Sequence, residues 1–282
     1  MIKRVHGYLT TRRPNEAPAA ALELETEGCV VLEGVLSTDE IVTLRESIDE
    51  IFDRLPPDDR TGGKRPPEHD AEFRYEMLNR SEACQAAIGH QRILETIEPL
   101  LGDDCHIIAN TAWRNAPKPN DPAQAWHVDA GPHIPLPEGV AWPEDIPHPV
   151  FAIGAHIFLQ DCTEEDGPTG VIPGSHCSGR FPPFDRAMDT SLEYRGRTVR
   201  KLTAKAGDVG LFVSDVWHRR MPTGPNDQGR FFLQAHYGRR DIAQRLRTTD
   251  QSNQLTADAI DRATSDRQRQ LVGLHGPFFY DG

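Results

Sequence analysis

The chain has 282 residues, 37% of them hydrophobic, and a formal net charge of −12 at pH 7. This length and hydrophobic content are enough to bury one large β-rich core with helical additions. The acidic charge and the absence of a Lys/Arg-rich run exclude the usual electrostatic footprint of a nucleic-acid-binding protein.

Two helices are predicted in the first third of the chain. Ser37 begins a Ser-Thr-Asp-Glu capping box, and apolar residues follow it at helical spacing as far as Leu55. A second helix is predicted from about residue 81 to residue 100. The polar, Pro/Gly-rich residues 58–70 between them are predicted to form an exposed loop. We expect both helices to pack on one outer face of a sheet.

From residue 105 onward, short apolar or alternating segments are broken by Gly, Pro and Asp, which is typical of an antiparallel sandwich or jelly roll. The predicted strands are residues 105–115, 150–161, 170–173, 198–203, 208–214 and 230–237. Residues 117–149 form a long Pro-rich insertion, and loops of that length in compact domains are usually functional or disordered. Because this insertion contains candidate metal ligands, we expect it to be functional. Residues 256–272 are predicted to be helical, and the apolar residues 276–280 to pack back on the core.

We expect a single domain over residues 1–282, with a helical N-terminal part at about 1–104, a jelly-roll core at about 105–240 and a C-terminal extension at 241–282. The cysteines are odd in number and lack C-x-x-C spacing, which predicts reduced thiols in a cytoplasmic protein; they are Cys29, Cys84, Cys105, Cys162 and Cys177. No stretch approaches the roughly 18 apolar residues of a membrane helix, and no apolar segment follows the basic N-terminus. We expect neither export nor membrane insertion.

A candidate iron site begins with His127 and Asp129, which stand two residues apart and project to the same side of an extended segment. An imidazole and a carboxylate can therefore approach one metal ion. His218 ends a later apolar strand and is the candidate third ligand. Two histidines and one carboxylate leave three positions of octahedral Fe(II) open, as non-haem oxygenases require. We predict that these three residues bind iron and are catalytic.

Arg230 opens the apolar strand predicted at residues 230–237, where a buried guanidinium would need a partner. A dicarboxylate is the natural candidate, and Arg230 could form a bidentate pair with the distal carboxylate of 2-oxoglutarate. Trp126 and Trp217 each precede a candidate ligand. Tryptophans are more often core residues, but this position predicts that they wall a substrate pocket.

Most of the twelve histidines are expected to be structural. Those that we interpret in this way, although they lie near the candidate site in sequence or strand pattern, are His133, His148, His156, His176 and His236. Ser175 beside His176 could suggest a hydrolase. No G-x-S-x-G motif surrounds it, however, and adjacent residues rarely form a nucleophile–base pair, so we reject that reading.

The order of these motifs resembles that of the phytanoyl-CoA dioxygenase family of Fe(II)- and 2-oxoglutarate-dependent oxygenases. The matching pieces are residues 28–32 before the capped helix, Trp126-His127-Val128-Asp129, the Gly-Pro-Thr-Gly-Val-Ile-Pro-Gly-Ser-His run at 167–176, the strand from residue 207 to His218, and Arg230. The resemblance covers roughly residues 27–237. The spacing from His218 to Arg230 is about one residue longer than the family pattern, and Arg219-Arg220 stand where small polar residues commonly help to bind 2-oxoglutarate.

The resemblance implies a double-stranded β-helix (a cupin-like jelly roll) as the core, flanked by N-terminal helices. It implies Fe(II) as cofactor, with 2-oxoglutarate and O₂ as co-substrates. It also points to polar residues on the strand before the His-x-Asp segment, Asn110 and Arg114, as further contacts of 2-oxoglutarate.

The predicted activity is hydroxylation, desaturation or oxidative cyclisation of a small organic substrate, with succinate and CO₂ as co-products. Halogenating relatives have a small residue in place of the carboxylate, so Asp129 argues against halogenation. The acidic charge and the lack of a basic cluster for a CoA tail favour a small polar or cationic substrate of specialised metabolism, such as antibiotic biosynthesis. The alternative is a cupin-type metalloenzyme, an isomerase or a 2-oxoglutarate-independent dioxygenase, which would not need a buried Arg230.

Overall fold

A computed structural model describes residues 17–57, 71–129, 131–242 and 255–275, together with the backbone of two short N-terminal strands. The predictions for the loop at residues 58–70 and for the apolar residues 276–280 lie outside the described residues. None of the helices within these ranges is long and apolar enough to cross a membrane.

The described residues form eleven strands and seven α-helices. The strands are Lys3–Val5 (β1), Leu9–Thr11 (β2), Cys29–Leu32 (β3), Phe73–Tyr75 (β4), His106–Asn115 (β5), Ala152–Phe158 (β6), Thr169–Val171 (β7), Arg200–Leu202 (β8), Val209–Val213 (β9), His218–Arg220 (β10) and Arg230–Gly238 (β11). The helices are Ala19–Glu27 (α1), Thr38–Arg54 (α2), Met77–Arg80 (α3), Glu82–Ile88 (α4), Gln91–Leu101 (α5), Ala257–Arg262 (α6) and Asp266–Leu271 (α7).

Nine of these strands form the two antiparallel sheets of a jelly-roll core. The major sheet has six strands in the order β3-β9-β6-β11-β5-β4, and the minor sheet has three in the order β10-β7-β8. Strands that are neighbours in space are mostly distant in sequence, as in Greek-key and jelly-roll folds. β1 and β2 pair separately. The predicted β-rich core is therefore present, with helices packed against the major sheet.

All six predicted strands are present, with their ends shifted by at most three residues. Three further strands complete the sheets, namely β3, β4 and β10. β3 and β4 are the two edges of the major sheet, so the N-terminal part of the chain supplies two strands to the core in addition to its helices. Each of the three has only three or four residues, too few for an alternating pattern to stand out in the sequence.

The helix predictions were right in place and partly wrong in length. The capping box of α2 is confirmed, with the backbone N–H of Ser37 donating to the Glu40 carboxylate at 2.7 Å. The predicted second helix is instead two helices, because Gly89 ends α4 and the side chain of His90 caps the start of α5. The predicted C-terminal helix is likewise divided, because Ser265 begins a new capping box at α7.

Side chains of the major sheet alternate between two environments. Along β11, the odd-numbered residues from Phe231 to Tyr237 pack in the hydrophobic core with residues of α2 and α5. The even-numbered residues from Arg230 to His236 line a cavity on the opposite face. Because successive side chains of a strand point to opposite faces, each residue at the cavity has neighbours that anchor the strand to the helices.

A β-bulge adjusts β5 to this arrangement. The register between β11 and β5 shifts between His236 and Tyr237. Ile107 lies before the shift and packs in the helix-facing core, whereas Ala109 and Thr111 lie after it and line the cavity. An extra residue in one strand turns the side chains that follow it to the other face. The bulge therefore decides which residues of β5 can reach the cavity.

Gly154 of β6 gives the ring of Phe212 on β9 its place in the cavity wall. The two residues are cross-strand partners, and a Cβ atom at residue 154 would lie 2.6 Å from Cζ of that ring. Phe212 lines the cavity, with its ring centroid 4.8 Å from that of His218. The glycine therefore permits a close contact that shapes the wall.

Gly154→Ala is expected to lower the free energy of unfolding by about 1–3 kcal/mol, because the new methyl group over-packs the sheet against Phe212. Gly210→Ala on β9 is the matched control, since its Cβ would lie at an ordinary 3.4 Å from the nearest atom, on Phe158. We expect no loss of stability there, because alanine also restricts the unfolded chain. Urea unfolding measures both variants, and equal losses would contradict this role of Gly154.

Candidate active site

A short antiparallel pairing holds the predicted ligands beside one another. The backbone N–H of His127 donates to the carbonyl of His218 at 2.9 Å, and the N–H of His218 donates back at 3.0 Å. Two residues further on, the N–H of Asp129 donates to the carbonyl of Ser214 at 3.1 Å. The Pro-rich insertion is thus tied to the edge strand β10, which fixes the positions of the two candidate ligands that it contains.

The three predicted ligands converge. His127, Asp129 and His218 each offer one ligand atom, and these atoms lie within 4.8 Å of one another. Oδ1 of Asp129 is 3.4 Å from Nε2 of His218 and 3.9 Å from Nε2 of His127. Within the described ranges, no other group of three His, Cys, Asp or Glu side chains converges in this way.

Both histidines present the same ring nitrogen to this group. Nδ1 of His127 lies 2.9 Å from the carbonyl oxygen of Ala125, and Nδ1 of His218 lies 3.0 Å from that of Val216. A carbonyl can only accept, so in the neutral rings Nδ1 carries the proton and Nε2 keeps its lone pair. Hydrogen bonds of this kind set the tautomer and orientation of metal-binding histidines.

Asp129 is the charged residue of the group. Burial raises the pKa of its carboxyl, but His218, His236 and His127 more than offset this, and the pKa falls well below its usual range. Its Oδ2 is buried with no hydrogen-bond partner among the described residues, and Nε2 of His236 lies 3.8 Å away. An ionised oxygen buried without a partner is costly. The residues present therefore fit a bound cation.

The group opens into a cavity of about 310 Å³ between the two sheets. Aromatic rings form much of its wall: Tyr75, Trp113, Phe212 and Phe232. The wall also contains Arg219, Arg220 and Arg230. The cavity thus combines the candidate metal site, an apolar wall and buried positive charge.

Arg230 is buried, as predicted, and forms no ion pair with any residue of the described chain. Its Nη1 donates to the carbonyl of Gly167 at 3.2 Å and its Nη2 to Oδ1 of Asn115 at 3.5 Å, while Nε has no hydrogen-bond partner among the described residues. Burial, followed by the charge of Arg220, lowers the pKa of Arg230 to about 9. A bound anion would offset the cost of burying this charge.

Asn110 and Arg114 lie on the face of β5 that points away from the cavity. Oδ1 of Asn110 accepts from a backbone N–H of α3 at 2.8 Å, and Arg114 forms an ion pair with Asp49 at 2.7 Å on the surface. These placements correct the prediction that they contact 2-oxoglutarate. The reason is the two-residue period of the strand: Thr111 and Trp113 line the cavity, so their even-numbered neighbours face the helices.

Trp126 and Trp217 lie behind the predicted ligands, in a small buried cluster outside the cavity. The indole N–H of Trp126 donates to the carbonyl of Asp189 at 2.6 Å, and that of Trp217 donates to the carbonyl of Arg180 at 2.7 Å. These contacts correct the prediction that the tryptophans wall the substrate pocket. The two rings instead anchor residues 180–189 to the segments that carry the histidine ligands.

The cavity residues that were not singled out as site residues from the sequence include three basic side chains, those of His156, Arg220 and His236. The other histidines that were interpreted as structural lie outside the cavity: His133, His148 and His176. A sequence signal existed for two of the three. With Arg230 facing inward, the two-residue period also brings His236 inward, and Arg220 follows His218 at the same interval.

Comparison with known proteins gives the same family as the motifs. The family model for phytanoyl-CoA dioxygenase (PhyH) matches residues 24–226. The ectoine dioxygenase of Sphingopyxis alaskensis is 25% identical in an alignment 244 residues long, which covers 76% of this chain and 73% of that protein.

Solved structures are similar over most of the chain. EctD from S. alaskensis with bound Fe has a TM-score of 0.63 at 20% identity, covering 86% of this chain and 85% of that one. HygX from Streptomyces hygroscopicus, with nickel and 2-oxoglutarate bound, has a TM-score of 0.57 at 17% identity, covering 78% and 86%. The carbocyclase SnoK from nogalamycin biosynthesis has a TM-score of 0.57 at 17% identity, covering 82% and 87%. These likenesses confirm the cupin-like double-stranded β-helix, and the match over residues 24–226 shows that the chain belongs to the phytanoyl-CoA dioxygenase family of Fe(II)- and 2-oxoglutarate-dependent oxygenases.

Proposed function

We propose that the chain is a dioxygenase in which His127, Asp129 and His218 bind Fe(II) and Arg230 binds 2-oxoglutarate. The observation that carries the proposal is the convergence of these three side chains at a cavity that also contains a buried arginine with no carboxylate partner among the described residues. Two imidazoles and one carboxylate suit Fe(II) and leave three of its positions open. A structural zinc site would typically include thiolates, and none of the five cysteines, all of which lie in the described residues, lines this cavity.

The chain's own residues bind, orient and shield the reactants. Arg230 is available to pair with the distal carboxylate of 2-oxoglutarate, which would fix the position of the co-substrate in the cavity. The aromatic wall around Trp113 and Phe232 keeps water away and leaves an apolar surface for the substrate. When bound, iron would activate O₂ as the oxidant, and 2-oxoglutarate would supply two of the electrons by oxidative decarboxylation, with succinate and CO₂ as co-products.

Asp129 limits the outcome of the reaction. A carboxylate that binds the metal takes the position that a halide would need, so we propose hydroxylation, desaturation or oxidative cyclisation of the substrate. The depressed pKa of Asp129 keeps this carboxylate ionised and able to bind a cation. Its backbone N–H is held by Ser214, which fixes the side chain beside the histidines.

The cavity argues for a small substrate, or for the small reactive end of a larger one. Its volume of about 310 Å³ must also accommodate the co-substrate, and ligand pockets commonly range from about 300 to 1,000 Å³. Aromatic rings form much of the cavity wall, which favours a substrate with apolar surface. One similar protein is an ectoine dioxygenase and another is a carbocyclase from nogalamycin biosynthesis. We propose that the substrate of this chain is likewise a specialised metabolite.

Anaerobic addition of Fe(II) and 2-oxoglutarate is expected to produce the weak visible charge-transfer band of an iron–2-oxo acid chelate. His127→Ala should abolish the band, because it removes one of three proposed ligands. Arg230→Gln should raise the Kd of 2-oxoglutarate by about 30-fold or more, as expected when one partner of a buried charge pair is lost at a cost of about 2 kcal/mol or more. Absorbance titration measures both effects.

Arg114→Gln is the matched control for that titration. It removes the same charge from the neighbouring strand, but from a side chain that is 41% exposed and paired with Asp49. The band and the Kd of 2-oxoglutarate should be unchanged. The proposal would be wrong if His127→Ala and Arg230→Gln also left the band unchanged.

Oxygen uptake separates this proposal from the cupin-type alternative. The Fe(II)-loaded protein is expected to consume O₂ only when 2-oxoglutarate is present and to form one succinate for each 2-oxoglutarate consumed. An oxygen electrode and succinate quantification measure this, and candidate substrates, ectoine among them, can be ranked by how far they stimulate the rate. Equal uptake without 2-oxoglutarate would favour the alternative.

A further inference from the structure

A second buried arginine, Arg220, lies beside Arg230 in the cavity. Nη2 of Arg220 is 3.5 Å from the carbonyl oxygen of Asp166, and Nη1 of Arg230 is 3.2 Å from the next carbonyl oxygen, that of Gly167. The two guanidinium groups therefore converge on one short piece of backbone. In each of them Nε is buried with no hydrogen-bond partner among the described residues.

The neighbouring carboxylates balance little of this charge. Oδ2 of Asp227 is 4.0 Å from Nη2 of Arg220, too long for a hydrogen bond, and it accepts from the backbone N–H of Lys118 at 2.7 Å. Asp166 turns its carboxylate away, accepting from the hydroxyl of Thr163 at 2.6 Å. Only its backbone carbonyl faces the arginines. Arg220 and Arg230 thus have hydrogen-bond donors without acceptors among the described residues, and nearby carboxylates neutralise little of their charge.

Arg219 shows the contrast with a buried arginine that is fully bonded. Its guanidinium donates to the carbonyls of Met188 at 2.9 Å, Pro122 at 2.8 Å and Arg220 at 3.1 Å. These bonds assign Arg219 a structural task. Arg220 and Arg230 lack such a set, and two like charges held close together in a buried space favour an anion between them.

A glycine at the turn permits this close approach. Gly167 has a φ of 63°, and a Cβ atom there would lie 3.1 Å from Nε of Arg220 and 2.7 Å from the carbonyl oxygen of Met221. The capping box between Thr163 and Asp166 fixes the turn before it. The backbone is therefore shaped to let both arginines reach the same end of the cavity.

We propose that Arg220 and Arg230 together bind the distal carboxylate of 2-oxoglutarate, so that selection of this co-substrate depends on two guanidinium groups. The inference rests on the proposed function and deepens it. A carboxylate has two oxygens with about four lone-pair sites, enough to accept from both groups. Charge-assisted hydrogen bonds of this kind are also the strong ones.

The test compares two 2-oxo acids of equal chain length on the anaerobic Fe(II) protein. 2-Oxoglutarate carries the distal carboxylate and 2-oxopentanoate lacks it. Arg220→Gln is expected to raise the Kd of 2-oxoglutarate by about tenfold or more, the range for losing a hydrogen bond to a charged group. The Kd of 2-oxopentanoate should change by less than about twofold, since the group that Arg220 binds is missing. Titration of the chelate band and calorimetry give both constants.

Two further variants make the result specific. Arg220→Lys keeps the charge and should bind 2-oxoglutarate at least about threefold more tightly than Arg220→Gln, and it remains informative if the glutamine variant does not fold. Arg54→Gln is the control, because it removes the same charge from a side chain that is 73% exposed. It should leave both constants unchanged.

Equal losses for the two acids would overturn the proposal, since Arg220 would then act only on the structure of the site. An unchanged Kd of 2-oxoglutarate in Arg220→Gln would also overturn it. If 2-oxopentanoate gives no band with any variant, the test rests on 2-oxoglutarate alone. Equal affinities of Arg220→Lys and Arg220→Gln for 2-oxoglutarate would then overturn the proposal. Failure of the proposed function is distinguishable, because the wild-type protein would then give no band with 2-oxoglutarate.

Discussion

Successive side chains of a β-strand point to opposite faces of the sheet. This constraint decides which residues of the major sheet face the helices and which face the cavity. One face packs on the helices through residues such as Phe231 and Leu233, and the other supplies Arg230 and His236 to the cavity. Burial of the apolar face stabilises the sheet and at the same time fixes the direction of the polar side chains between. The rigidity of the cavity wall therefore comes from the same packing that holds the domain together.

The minor sheet contributes in a different way, through the backbone pairing between His127 and His218. This pairing joins an irregular, Pro-rich segment to a regular strand, so a loop residue gains the positional accuracy of a sheet. Trp126 and Trp217 reinforce it from behind, with indole N–H groups bonded to the segment at residues 180–189. A loop can carry polar residues to a cavity, and the tryptophans supply the packing that such a loop lacks on its own.

Buried charge gives the cavity its chemical character. Asp129 is ionised and has one oxygen without a hydrogen-bond partner in the described chain, while Arg220 and Arg230 hold donors without partners. Charges of this kind are costly in a folded protein unless they are balanced. The proposed metal ion and dicarboxylate would balance them at their respective positions. The same imbalance that lowers the stability of the unliganded site would favour binding of its ligands.

The amino-acid sequence was enough to predict the β-rich core, the capped helix, the family and the candidate set of His127, Asp129, His218 and Arg230, because ordered motifs and local periodicity are properties of the chain. It did not determine which side of β5 faces the cavity. A single bulge near Ile107 reverses the faces of that strand, which is why Thr111 and not Asn110 lines the wall. The sequence also did not predict that Arg220 lies beside Arg230, since this depends on the close approach of the turn at Gly167. Strand register and turn geometry arise from pairing between segments that are distant in sequence, and a local pattern of residues does not specify that pairing.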